Sequence, residues 1–355
     1  MVENFYTNNE YFASANGYYG FKSYFSEVFN SSEFEKIYVL KGGPGTGKSS
    51  LIKRIGAFCK SQKIYYEIYR CSSDPDSLDG IIINHKNKKI AMLDGTAPHQ
   101  RDPEIPGAID ELINLGDAWD KNALKKQRDT IIQLNDKKGK CYAKAYEYLK
   151  YSSVFATNIK AEITSLIDFD TAEKECDRLI DKVFKTDCTQ CGIKLISSFS
   201  KYGYKTLSGP FDNSKTNYSI YGRFGSDKIF ISMLVQKLSK KGVGFYNIPS
   251  PLDSTLSEGI LTDNGNTIVF GMGNGEMLFD TTPLIKIEDI AEFEHKMVTL
   301  ENNKEYYLNM AADELKSASL YHFMLEDIYT PAMNFEIVEK IYNKILTEIK
   351  NIYLS

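Results

Sequence analysis

The chain has 355 residues, more than one compact core usually holds and enough for two domains. Its 42% hydrophobic and 25% charged residues are those of an ordinary globular protein, and a formal net charge of −4 gives no global electrostatic case for nucleic acid. No apolar run approaches the roughly 20 residues that span a bilayer. The six cysteines are scattered, as reduced thiols of a cytosol would be, so a cytoplasmic location is expected.

The opening "MVENFYTNNEYF" has neither a basic n-region nor an apolar h-region, so it does not read as a signal peptide. The stretch from Lys36 to Lys63 is rich in lysine and offers a local basic face. Within it, "KIYVLKGGPGTGKSSLIKRIGAFCKS" predicts strand, loop and helix. Ile37 to Leu40 form a β-prone apolar run, glycines break it, and Leu51, Ile52, Ile55 and Phe58 recur at helical spacing. From Gly42 to Ser49 the loop matches G-x-x-x-x-G-K-[ST], the phosphate-binding loop, between the strand and helix it requires. Gly42, Gly43, Pro44, Gly45, Thr46 and Gly47 let successive backbone N–H groups turn toward phosphate oxygens, and the helix N-terminus at Lys48, Ser49 and Ser50 adds its dipole. Lys48 is expected to reach the β- and γ-phosphates, and the Ser49 hydroxyl to ligate Mg²⁺.

A second strand is expected over Tyr65 to Tyr69, followed by a turn-rich loop with Asp74, Asp76 and Asp79. By analogy of fold, Asp74 is a candidate base for an acceptor hydroxyl; it serves equally to cap a turn. The run "KKIAMLD" then ends in Asp94, which is expected to help hold Mg²⁺. Gly95 follows, so the water-activating glutamate of many motor ATPases is missing from its usual place. Glu104, His99 and Asp102 are the nearby candidates to substitute, and each also reads as a plain loop residue.

Residues 119–185 have mixed charge and helical spacing, and read either as a solvated helical face or as an arm that docks a partner or covers the nucleotide. Cys188 and Cys191 form the one CxxC, read as two ordinary thiols with a redox or metal site as the alternative. Beyond them the pattern repeats. "YGRFGSDKIF" aligns with the first loop: Gly222 on Gly42, Gly225 on Gly45, Lys228 on Lys48. "FYNIPSPLDSTLSEGI" lies over "YYEIYRCSSDPDSLDGI", placing Asp253 on Asp74, and 300–347 aligns on 134–181 without a gap. This predicts a tandem duplication, with a phosphate-binding domain over 1–191 and a degenerate repeat over 192–355. In the second loop Asp227 replaces the glycine before the lysine, Ile229 replaces the magnesium-binding serine, and the alignment puts Met272 opposite Asp94; Arg223 and Lys228 keep positive charge. A second helical arm is expected over 286–353.

In motif order the chain resembles an uncharacterised bacterial family of tandem P-loop ATPases. The resemblance rests on "FASANGYYGF", "KGGPGTGKSS", "CSSDPDSLDG" and "DGTAPHQRDPEIPGAIDELINLGDAWD" and covers nearly the whole chain. It implies cytoplasmic ATP binding by two related domains and names no substrate. The expected fold is α/β: two mostly parallel sheets flanked by helices, each with a helical appendage. The expected function is Mg-dependent ATP hydrolysis in the first half, using Lys48, Asp94 and Glu104. The alternatives are a small-molecule kinase with Asp74 as base, or an interaction module gated by nucleotide with negligible turnover. No guanine-reading NKxD follows the core, which favours ATP over GTP. A protein partner, a small-molecule acceptor and a homo-oligomer all remain open.

Overall fold

The computed structural model describes residues 9–98, 100–184, 191–262, 266–271, 275–287 and 289–354. The first half begins with β1 (Asn9–Phe12), the hairpin β2 (Ser14–Gly17) and β3 (Gly20–Ser23), the helical turn α1 (Phe25–Val28) and β4 (Lys36–Lys41). It continues through α2 (Lys48–Ser61), β5 (Tyr65–Arg70), β6 (Leu78–His85), β7 (Lys88–Asp94), β8 (Asp110–Asn114) and α3 (Lys121–Lys126). It closes with α4 (Arg128–Leu166) and α5 (Phe169–Val183). The second half repeats the series: β9 (Cys191–Ile193), the hairpin β10 (Ser197–Ser200) and β11 (Gly203–Thr206), α6 (Gly209–Asn213) and β12 (Thr216–Tyr221). Then come α7 (Ser226–Lys241), β13 (Phe245–Pro249), β14 (Ser257–Thr262), β15 (Thr267–Gly271), β16 (Glu276–Asp280), α8 (Ile290–Tyr329) and α9 (Phe335–Leu354).

Two six-stranded sheets result, in the orders β1-β5-β6-β7-β4-β8 and β9-β13-β14-β15-β12-β16. The two orders are one order used twice. Each sheet is mixed rather than simply parallel, because β6 and β14 run antiparallel to both neighbours. Chain length dictates this. A parallel crossover needs a dozen residues or more, and β6 returns to β7 through Lys86 and Asn87 alone, both at positive φ as a two-residue hairpin turn requires. β4 keeps the continuous apolar run of a strand covered on both faces: Ile37, Tyr38, Val39 and Leu40 are fully buried. One face packs on Leu51, Ile52 and Ile55 of α2. The other faces the second sheet, where Ile37, Val39 and Leu93 share a core with Ile248, Leu261 and Ile268.

The helical ends are exchanged between the halves. Ala172, Cys176, Leu179 and Ile180 of α5 pack on Ile220, Phe230 and Val269 of the second sheet and its helix. Val338, Ile345, Ile349 and Tyr353 of α9 pack on Tyr38, Leu51 and Ile81 of the first. Each core therefore takes its last helix from the other half of the chain. The long α4 and α8 lie along each other, joined by the Ser152 hydroxyl donating to the Lys304 carbonyl at 3.1 Å and by stacking of Tyr148 and Phe155 on Tyr307. Backbone bonds at equivalent positions fix the exchange: Asp168 N–H donates to Leu284 O at 2.9 Å, and Asn334 N–H to Ala118 O at 2.8 Å. Among the described residues no helix is long and apolar enough to cross a membrane.

Candidate functional site

The first glycine-rich loop joins β4 to α2. Gly45 and Gly47 both have positive φ, +66° and +88°, a region that side-chain-bearing residues disfavour, and Gly47 is the N-cap of α2. The Thr46 hydroxyl donates to Gly43 O at 2.8 Å and braces the turn from within. Lys48 lies across the loop, donating to Gly42 O at 2.7 Å and Gly43 O at 2.9 Å. Its ammonium is also 3.6 Å from the Asp94 carboxylate, with both side chains largely buried. The sheet explains this meeting. Leu40, two residues before Gly42, is paired in register with Asp94, so the strand-end carboxylate and the loop leave the same edge together. Asp94 is oriented by Thr96, whose backbone N–H donates to Oδ1 at 2.8 Å and whose hydroxyl bonds the same oxygen. The Ser49 hydroxyl oxygen accepts from Leu78 N–H at 3.1 Å, and its own proton remains for another acceptor.

The residues present fit a hard cation carried by phosphate. Ser49 and Asp94 offer oxygen ligands beside a lysine, and magnesium is commonly held by one or two protein groups plus phosphate oxygens. Among the described residues no group of three or more His, Cys, Asp or Glu side chains is poised to hold a metal by itself.

The other expected residues are placed differently. Asp74 accepts an ion pair from Lys201 at 2.7 Å, a residue of the second repeat, and also accepts Asp76 N–H at 3.2 Å. Glu104 turns toward the N-terminal segment: the Ser31 hydroxyl donates to it at 3.1 Å, and buried Arg101 lies 3.4 Å away. Its partners belong to a structural cluster around Asp110, whose carboxylate takes the backbone N–H groups of Glu104 and Ile105. Asp102 pairs with Lys41 at 2.9 Å. His99, Cys188 and Met272 lie outside the described residues.

The chain adds residues to the loop that its linear pattern does not announce. Trp119 packs over Gly43 together with Tyr329, the two rings 5.7 Å apart. From the end of α8, the Glu326 carbonyl and Thr330 close on Gly45: a Cβ there would lie 3.3 Å from the first and 2.5 Å from the Thr330 hydroxyl. Lys138 of α4 stands within electrostatic reach of Lys48; burial and that like charge both hold its ammonium below the ordinary lysine range. These come from the arms, whose amphipathic spacing marks a buried stripe without saying what it buries.

The second loop differs in backbone and in chemistry: positive φ falls at Phe224 and Gly225, and α7 starts two residues sooner after its strand than α2 does. Gly225 caps α7 at φ +81°. The sheet pairs Ile220 with Gly271, as it pairs Leu40 with Asp94, so Gly271 and not Met272 stands opposite Asp94. The alignment slipped by one residue because strand register, invisible in the sequence, sets the equivalence. A Cβ added to Gly271 would overlap the Asp227 carboxylate. Asp227 thus fills the space left by the missing strand-end side chain, and burial pushes its carboxyl up to about 6. Lys228 turns away to buried Glu258 at 2.6 Å, and Arg223 to Glu294 at 2.7 Å. Ile229 packs with Ile159, Ile163 and Met297. No protein-family model, curated protein or solved structure matches the chain.

Proposed function

We propose that the first repeat binds Mg-ATP at Gly42 to Ser50 and hydrolyses it, while the second repeat does not turn over nucleotide. The observation that supports this most is the meeting of Lys48 and Asp94 at 3.6 Å beside a loop whose Gly45 and Gly47 hold positive φ. Such a loop aims backbone N–H groups at an anion, and the N-terminus of α2 adds its dipole. In this reading Lys48 leaves the loop carbonyls for the phosphate, where its charge is worth more as negative charge develops. Ser49 and Asp94 hold magnesium, which supplies charge neutralisation when bound. Water is the proposed acceptor, because Lys201 already engages the Asp74 carboxylate.

A second reading has an observation in its favour. The end of α8 rests on Gly45, so ligand entry at the loop acts directly on an arm; this fits a module whose arms respond to nucleotide.

The test is ADP release from Mg-ATP, alongside emission of the chain's one tryptophan, Trp119, which touches the loop. The native protein is expected to show saturable emission change and steady ADP release, with release lost at least about 100-fold in Lys48→Ala. Saturable binding with no release favours the gated module. No emission change and no release would remove both readings.

A further inference from the structure

We infer that Lys201, contributed by the second repeat, is a positioning residue for the site of the first, so that this site is incomplete without the degenerate half. The inference rests on reading the Gly42 to Ser49 loop as a phosphate site.

Lys201 sits at the tip of the β10–β11 hairpin. Its ammonium is 2.7 Å from Asp74 and 3.7 Å from Asp76, and the side chain is only 9% exposed. Burial opposes the charge, yet Asp74 holds the ammonium above the ordinary lysine range. The aromatic faces of Tyr202 and Phe323 lie 5.0 Å and 5.3 Å from it, so α8 closes the same enclosure. The hairpin grips the segment from Cys71 to Ser77 at further points: Lys201 N–H donates to Ser73 O at 3.2 Å, the Ser198 hydroxyl to Ser72 O at 2.9 Å, and the Tyr202 hydroxyl to Asp76 at 2.5 Å. That segment runs directly into Leu78, whose N–H fixes the Ser49 hydroxyl oxygen at 3.1 Å. A chain of contacts therefore leads from Lys201 through Asp74 to the proposed magnesium ligand.

The other repeat supplies the comparison. The hairpin position equivalent to Lys201 is Tyr18, whose N–H donates to Leu252 O at 2.8 Å, as Lys201 N–H does to Ser73 O. The backbone grip is thus common to both repeats and serves the fold. The buried cation is not common. Asp253 receives a longer ion pair, 3.4 Å, from Lys160 of α4, which is 37% exposed. The hairpin lysine accompanies the loop that keeps Lys48, Ser49 and Asp94, and a tyrosine accompanies the loop that has lost their counterparts.

The experiment uses the full chain with Lys201→Ala, Lys201→Arg and, as a control on the exposed side of the hairpin, Lys205→Ala. Mg-ATP affinity is read from Trp119 emission, turnover from ADP release, and the loop itself from amide exchange at Cys71, Ser77 and Leu78. Lys201→Ala is expected to speed exchange at these amides and lower kcat by about tenfold or more, a loss in keeping with a small misplacement of a reacting group. Affinity should stay within about twofold, because Lys201 is not argued to touch phosphate. Lys201→Arg should restore most of kcat, and Lys205→Ala should match the native protein. Unchanged exchange and kcat in Lys201→Ala would overturn the inference, as would a loss of affinity equal to the loss of kcat. If the native protein neither binds nor hydrolyses ATP, the phosphate reading fails by itself. Exchange then decides the remainder: accelerated amides uphold Lys201 as the residue that holds the segment, and unchanged ones overturn that too.

Discussion

Gly271 stands at the strand position of Asp94, and the acid nearest it is Asp227, in the first turn of α7. That acid is costly where it lies. Asp227 is 3% exposed, and burial raises its carboxyl from an ordinary 3.8 to about 6. The consequence for stability follows from the sign of that shift. Below pH 3.8 the group is protonated in folded and unfolded chains alike and imposes no penalty. As pH rises toward 6 the unfolded chain ionises first, and stability falls; above 6 the loss is complete, on the order of 2–3 kcal/mol. Asp227→Asn should therefore unfold later than the native protein at pH 8, with the gap closing near pH 4, as read by thermal melts across that range. A gap independent of pH would show that ionisation of Asp227 is not what strains this loop.

At the scale of elements, the exchanged helices carry much of the interior. Tyr353 of α9 is 1% exposed and donates its hydroxyl to Ile83 O in β6 at 2.9 Å, while Ile345 and Ile349 lie against the first sheet fully buried. Ile349→Ala should cost about 2–5 kcal/mol through lost burial and the cavity left behind. Its imprint should be local: amide exchange in β4 and β6 should accelerate before that in β12 and β14, although residue 349 lies in the second half of the sequence. The opposite order would mean that α9 does not hold the first sheet. Strand β4, helix α2 and the loop between them were legible in the sequence, because an unbroken apolar run, a glycine cluster and a 3.6-residue period each have one physical meaning. The reversed strand β6 departs from the mostly parallel sheet expected, because in "IIINHKNKKIAML" the two apolar runs lie too close for a crossover. Which sheet α5 and α9 cover was not legible. An amphipathic helix records that it buries a stripe, and its partner is fixed only in three dimensions. Glu104 shows the same limit at one residue: its type and neighbourhood suit a carboxylate that activates water, and folding sets it beside Ser31 and Arg101.

For the whole molecule, the exchange means that cutting the chain between the repeats leaves each piece with a helix that fits the other piece. Residues 1–191 lack α9 and would expose the face of Tyr38, Ile55 and Ile81; residues 192–355 lack α5 and would expose that of Phe230 and Leu234. Produced separately, the pieces should be unfolded, aggregated or self-associated, and produced together they should form a one-to-one complex with the native circular dichroism, as size-exclusion chromatography can establish. Two monomeric, cooperatively melting pieces would contradict the exchanged packing. The paired backbone bonds at Asp168 and Asn334 relate the halves by an approximate twofold turn. A single repeat obeying the same contacts would be a homodimer that trades its C-terminal helices, with one glycine-rich loop on each subunit. Gene fusion makes such a dimer permanent and frees its two copies to diverge. One loop could then decay to a buried carboxylate while its hairpin went on serving the neighbour, a division of labour closed to any assembly of identical chains.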